Sequence, residues 1–377
     1  MGQTLHTHAA PGILGIEPYT PGMPIDELQR RLGVKSAIKL ASNENPLGMS
    51  PKVRAALAEA VASQNLALYP DGSGHRLKQK LARMFDIAPE RITLGNGSND
   101  ILEFLARVYA GPGRAVMFSE YAFAVYPLAA QAQSAESVVV PARPAEDPMP
   151  YGHDMAAFAR VLRGRPDVAL VFVANPNNPT GTWLEPQAIE DFLRQVPPDV
   201  IVALDEAYFE YQDPALRPDT RRWLDQFPNL LVARTFSKVY GLAGLRVGYA
   251  FSHPDVADLL NRVRQPFNNN SLALLAAEVA LDDQAHVAQS VELNARERAR
   301  LTRELRALGL GVLPSQANFV TVDFHRDAQP IHQGLLERGV IVRPMGSYGL
   351  PNFLRVTVGT VAENDRFLGA LKEVLRG

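Results

Sequence analysis

The residue with the most chemical reach in this chain is Lys238. It follows the apolar run LLVA inside Arg234-Thr235-Phe236-Ser237-Lys238 and precedes the small-residue stretch GLAGLRVGY. A lysine drawn out of water gives up its proton more readily and becomes a nucleophile able to form a Schiff base. Arg246, in the same stretch, could set a fixed positive charge against a phosphate. A second apolar run, VIVAL, ends in Asp205-Glu206-Ala207-Tyr208. A carboxylate closing so apolar a strand is partly buried and needs a cationic partner. A third run, ALVFVA, leads into Asn175-Pro176-Asn177-Asn178-Pro179-Thr180-Gly181. A fourth, RITL, leads into Gly95-Asn96-Gly97-Ser98-Asn99-Asp100 and then the helical ILEFLARVY. A glycine turn that opens a helix offers free N–H groups and the positive end of the helix dipole, which suits a phosphate. The same segment could be an ordinary turn with Ser98 as N-cap. It could also be a dinucleotide fingerprint with Glu120 as ribose acceptor, although Asp100 stands where the third glycine belongs.

These residues need a scaffold that brings strand ends together. Short β-branched runs at 91–94, 115–118, 137–140, 168–173, 200–204, 230–233 and 247–250 alternate with helical stretches. Several are apolar on both sides of the pleat, as strands of a parallel sheet between helices are. Such sheets collect ligands beyond the carboxyl ends of their strands, where the polar segments lie. Pro51 is placed to start an amphipathic helix over 51–68. The pattern breaks near 265–270 and a long helical stretch follows over 272–307. Shorter units then end the chain: VLPSQANFVTVDF, a helix at 330–338, VIVRP, FLRVTVG and a last helix. The expected fold is therefore α/β with a mostly parallel central sheet. Residues 46–270 are expected to form a large domain, and 271–377 with part of the arm 1–45 a small α+β domain.

The 377 residues include 38 basic and 40 acidic side chains and no cysteine. No cysteine means no disulfide framework, thiol catalysis, iron–sulfur cluster or thiolate zinc site. A formal net charge of −2 gives no long-range attraction to nucleic acid or an anionic membrane. No apolar run approaches the length of a bilayer-spanning helix, and MGQTLHTHAAPGILG lacks a basic start followed by an apolar stretch. These features suggest a soluble cytoplasmic protein. The eight histidines include no H-x-x-x-H pair, and His6 and His8 lie in the arm, so no metal is expected.

Taken in order, ASNENPLG (41–48), YPDGSG (69–74), NPNNPTG, DEAYFEY, SKVYGLAGLRVGY and FLRVTVGT (353–360) resemble the fold-type I pyridoxal-phosphate-dependent aminotransferases. Within the aspartate aminotransferase superfamily they most resemble the histidinol-phosphate aminotransferase group, over almost the whole chain. The resemblance implies that Lys238 carries the cofactor, pyridoxal 5'-phosphate. It implies that Asp205 pairs with the pyridinium nitrogen, so that the ring acts as an electron sink, and that Asn178 and Tyr208 bond the phenolate oxygen. Gly97, Ser98, Asn99, Ser237 and Arg246, with Thr235, resemble the phosphate cup. Tyr69 matches a tyrosine that reaches the phosphate from a neighbouring subunit, which implies a homodimer with shared sites. Phe123, or Tyr121 in its place, would stack on the ring. Arg355 resembles the arginine that clamps the substrate carboxylate, and Arg343 one that meets a substrate phosphate. Tyr19 resembles a residue covering that end of the pocket, and Asn45 one lining it. The implied reaction is transamination between histidinol phosphate and 2-oxoglutarate, giving imidazole acetol phosphate and glutamate. Aromatic aminotransferases and threonine-phosphate decarboxylases share this fold, which does not choose among them. A nicotinamide-dependent oxidoreductase or a non-catalytic ligand-binding protein would leave Lys238, Asn178 and Arg246 without a task.

Overall fold

The computed structural model describes residues 8–18, 22–63 and 66–376. Its strands are β1 (Ile38–Lys39), β2 (Ile92–Gly95), β3 (Ala115–Ser119), β4 (Ser137–Val140), β5 (Val168–Ala174), β6 (Ile201–Asp205), β7 (Leu230–Thr235), β8 (Gly248–Phe251), β9 (Gly311–Val312), β10 (Phe319–Asp323), β11 (Val340–Ile341), β12 (Arg343–Pro344) and β13 (Phe353–Thr357). Seven of them make one sheet in the order β2-β8-β7-β6-β5-β3-β4. The pairs from β4 to β7 are parallel, and β8 runs antiparallel to both neighbours. Every residue of β5, β6 and β7 is buried, as the two-sided apolar pattern predicts.

Side chains alternate between two apolar layers. On one face Val171, Val173, Val202, Leu204, Leu230 and Val232 pack with Phe158, Phe192 and Trp223. On the other, Leu170, Phe172, Ile201, Ala203, Leu231 and Ala233 pack with Ile101, Leu105, Tyr126 and Leu260. Continuing the alternation past the core assigns the functional ends. Asp205 falls on the face of Ile201 and Ala203, and Arg234 on that of Leu230 and Val232.

A second sheet, β12-β13-β10-β9, is antiparallel and packs with helices Gln284–Ala307, Gln329–Glu337 and Val361–Arg376. Close to it, β1 pairs in parallel with β11, Ile38 opposite Val340, so the N-terminal segment is woven into the C-terminal third.

Two expectations shift. The stretch 272–307 is two helices, Ser271–Asp282 and Gln284–Ala307, separated at Asp283, whose carboxylate holds Lys52 at 3.0 Å. The first buries Ala273, Ala276, Ala277, Ala280 and Leu281 in the core of the large sheet, while the second places Leu301 and Leu305 against the C-terminal sheet. Val287 and Val291 of the second helix still pack on the core of the large sheet, so that helix serves both layers along its length. Of the helix expected over 51–68, Pro51–Ser63 is helical, with the Ser63 hydroxyl bonded back to Glu59 O at 2.8 Å, and residues 66–68 are turn and bend.

Candidate active site

The register of the large sheet aligns the polar segments. Ala174 lies opposite Asp205, Asp205 opposite Ala233, and Gly248 opposite both Thr235 and Gly95. The segments that follow these strands enclose a cavity of about 400 Å³, closed on its far side by Ala41–Glu44 and by Arg343 and Arg355 of the C-terminal sheet.

Asp205 forms the floor. Its Oδ2 accepts the Tyr126 hydroxyl at 3.0 Å and its Oδ1 the Ala207 N–H at 3.2 Å. Burial raises its pKa to about 6, opposed by those two bonds and by the charge of Lys238. The Lys238 ammonium points at Ser42 O, 3.4 Å away, and lies 5.5 Å from the centre of the Tyr208 ring. The Tyr208 hydroxyl accepts Asn43 Nδ2 at 2.9 Å. Asn178 Oδ1 accepts from Arg355 Nη1, while Arg355 Nη2 donates to Ala41 O at 2.9 Å.

At the other end, Gly97 (φ +84°) caps helix Ser98–Tyr109, whose first residues Ser98 and Asn99 line the cavity. Arg246 Nη1 donates to Ser237 Oγ at 3.2 Å, and Thr235 Oγ1 accepts the Ser237 N–H at 3.1 Å. The backbone here is bare by necessity. A Cβ on Gly97 would collide with the Arg246 guanidinium, and one on Gly248 would lie 2.5 Å from Ser98 N.

Ser98, Asn99, Phe123, Asn178, Asp205, Tyr208, Thr235, Ser237, Lys238, Arg246, Arg343 and Arg355 all line this one cavity, with Gly97 directly behind Arg246. Phe123 faces it, whereas Tyr121 packs edge-on against Tyr151. Asn45 does not line it. Its Nδ2 donates to Val239 O and Ser290 Oγ, and its Oδ1 accepts the Leu47 N–H, an Asx turn around Pro46. The asparagine of this segment that lines the wall is Asn43. Tyr69 is 80% exposed, stacked on Phe267 and away from the cavity of its own chain. Tyr19 lies outside the described residues. Of the residues the dinucleotide alternative would use, Asp100 accepts from Asn96 N and Asn268 Nδ2, and Glu120 accepts from Ala142 N outside this cavity.

Behind the floor, on the opposite face of the sheet, Arg234 and Glu206 form a buried ion pair at 2.7 Å, with the guanidinium 3.7 Å from the centre of the Phe209 ring. Removing one partner of such a pair leaves a stranded charge. Glu206→Ala is expected to lower stability by about 3–5 kcal/mol, read as a reduced urea midpoint.

The model of the family "Aminotransferase class I and II" matches residues 35–371. The chain belongs to this family. It is 55% identical to histidinol-phosphate aminotransferase 2 of Pseudomonas aeruginosa over 369 residues, covering 97% of each chain. It is 50% identical to histidinol-phosphate aminotransferase 1 of Nitrosococcus oceani, covering 97% of this chain and 96% of that one. Among solved structures, histidinol-phosphate aminotransferase from Sinorhizobium meliloti in complex with pyridoxal-5'-phosphate superposes with a TM-score of 0.89 at 31% identity, covering 98% of both chains.

The donor set fits pyridoxal phosphate. The cavity has a buried acid at one end for a ring nitrogen and a lysine amine beside it for an aldehyde. A glycine-backed helix terminus with Ser237 and Arg246 at the other end suits a phosphate dianion.

Proposed function

We propose that this chain is a histidinol-phosphate aminotransferase that uses pyridoxal phosphate to exchange an amino group between histidinol phosphate and 2-oxoglutarate. The observation that carries the substrate assignment is the pair of arginines. Arg343 and Arg355 sit opposite each other on β12 and β13, both buried and both on the cavity wall. In glutamate the α-carboxylate is attached directly to the amine-bearing carbon; in histidinol phosphate that place is taken by a larger dianion one CH₂–O unit further out. One arginine suffices for the carboxylate, and two adjacent ones suit the phosphate.

When bound, the cofactor supplies an aldehyde for the amine and a ring that accepts the electron pair left by the departing Cα proton. Lys238 Nζ takes that proton and returns it, as general base and then general acid. Asp205 holds the proton on the ring nitrogen, and Tyr208 and Asn178 hold the phenolate oxygen. Gly97, Ser98, Asn99, Thr235, Ser237 and Arg246 hold the phosphate, and Phe123 covers the ring. Arg355 orients the anionic end of each substrate.

The same reading makes the enzyme a homodimer. Leu66, Leu68, Tyr69 and Phe267 are exposed apolar residues, Tyr69 stacked on Phe267, and a second copy seated over them would let Tyr69 reach the partner's phosphate site. Among the described residues no helix is long and apolar enough to cross a membrane, and an enzyme of small diffusible metabolites is placed in the cytoplasm.

The deciding experiment compares kcat/KM for histidinol phosphate, phenylalanine and O-phosphothreonine. Histidinol phosphate should lead by more than tenfold. Preference for phenylalanine, or release of carbon dioxide from O-phosphothreonine, would reassign the substrate and leave the fold and cofactor in place. For the dimer, Lys238→Ala and Tyr69→Ala proteins, each impaired alone, should regain activity when refolded together. A mixture no better than its parts removes the shared site.

A further inference from the structure

Asp205 owes its setting to a residue on another element. Tyr126 lies in the first turn of helix Val125–Ala132 and is fully buried. Its ring is stacked on Phe172 of β5 at 4.6 Å, with Phe123 edge-on at 5.9 Å and Phe118 of β3 tilted against it at 6.4 Å. A ring so enclosed cannot swing, and its hydroxyl ends 3.0 Å from Asp205 Oδ2. We infer that Tyr126 is a positioning residue for the cofactor's acid: its hydroxyl fixes the Asp205 carboxylate, ionised and correctly turned, for the protonated ring nitrogen. This rests on the cofactor reading above and adds a residue to it.

Three observations support the assignment. The two oxygens of Asp205 are held separately, Oδ1 by a backbone N–H of its own loop and Oδ2 by Tyr126, so the carboxylate plane is set by two elements. The phenol is a dependable donor, because burial and the neighbouring carboxylate push its own ionisation well above the ordinary range. The other groups acting on Asp205 do not replace it. Lys238 acts through its charge, and Tyr208 is engaged by Asn43. Glu206 is paired with Arg234, and His153, beneath β5, is bonded to Ala174 O. After burial itself, the Tyr126 hydroxyl is the largest influence on the proton affinity of Asp205, and it opposes the rise.

The sign of the effect follows. Without the hydroxyl, Asp205 holds its proton to higher pH, and that proton must leave when a protonated ring nitrogen arrives. Tyr126→Phe keeps the ring and deletes one oxygen. The dissociation constant of pyridoxal phosphate is measured by reconstituting apoenzyme across a pH series, as the ratio of variant to wild type. Weakening of about fivefold is expected near pH 6, rising towards tenfold at lower pH and falling towards parity by about pH 8.5, a displacement of roughly one pH unit. The thermal midpoint of the apoenzyme should stay within a few degrees. A ratio that is flat across pH, or near one throughout, overturns the inference and leaves Tyr126 a packing residue. Wild-type protein that takes up no pyridoxal phosphate overturns the cofactor reading and this inference with it.

Discussion

Replacing Lys238 with alanine is expected to lower kcat with histidinol phosphate roughly 10⁴-fold, with loss of the visible absorption band of the cofactor-loaded protein. The size of the effect follows from how the amine is delivered. Lys238 sits in a turn closed by the Gly241 N–H on its own carbonyl at 3.0 Å. Gly241 has φ +68°, and a Cβ there would collide with Gly48 O, so the turn cannot slide. The side chain reaches the cavity between Ser42 and Tyr208, beside Asp205. Lys238→Arg should be equally inactive, since a guanidinium retains the charge but cannot give up its proton. Borohydride reduction of wild-type enzyme followed by peptide mass spectrometry should place the cofactor on Lys238. Turnover within tenfold of wild type in the alanine variant would remove this lysine from the chemistry.

Arg355→Lys is expected to lower kcat/KM by about 2–4 kcal/mol, roughly 30- to 1000-fold, for glutamate and histidinol phosphate alike. Arg355 is buried on β13 with one terminal nitrogen on Asn178 and the other on Ala41 O, while Nε has no acceptor among the described residues. A lysine cannot satisfy both partners and still face a substrate anion, because it lacks the planar fork. Asn178 would also lose its anchor, so the visible spectrum of the loaded variant should shift. Arg343→Lys is the contrast. Its loss should fall mainly on histidinol phosphate and largely spare glutamate. Steady-state kinetics on both substrates separate the two arginines, and equal losses for both would contradict their division of labour.

The sheet was readable because β5, β6 and β7 are apolar on both faces, and the site because polar segments follow strands whose ends the register aligns. What escaped was decided by single dihedrals or by packing. In Ser42-Asn43-Glu44-Asn45 either asparagine could face the cavity. Asn43 does so, with φ +56°, a left-handed conformation asparagine tolerates. The Asn45-Pro46 pair is a turn signal that could have assigned Asn45 to the loop. Tyr126 reads as one more apolar residue among VYPLAA, and its task emerges only when alternation along β6 puts Asp205 on the face that its helix covers. The break between the two helices at Asp283 carries no glycine or proline, so it left no turn signal to read.

The pairing of β1 with β11 governs how this protein can be made. Ile38 finds its partner Val340 only after about 300 more residues have been synthesised, roughly 15–60 s at ordinary ribosome speed. Until then Arg343 and Arg355, which line the cavity, have not been made either. A message that ends before Val340 therefore yields a chain that lacks both arginines and leaves Ile38–Lys39 without its strand partner.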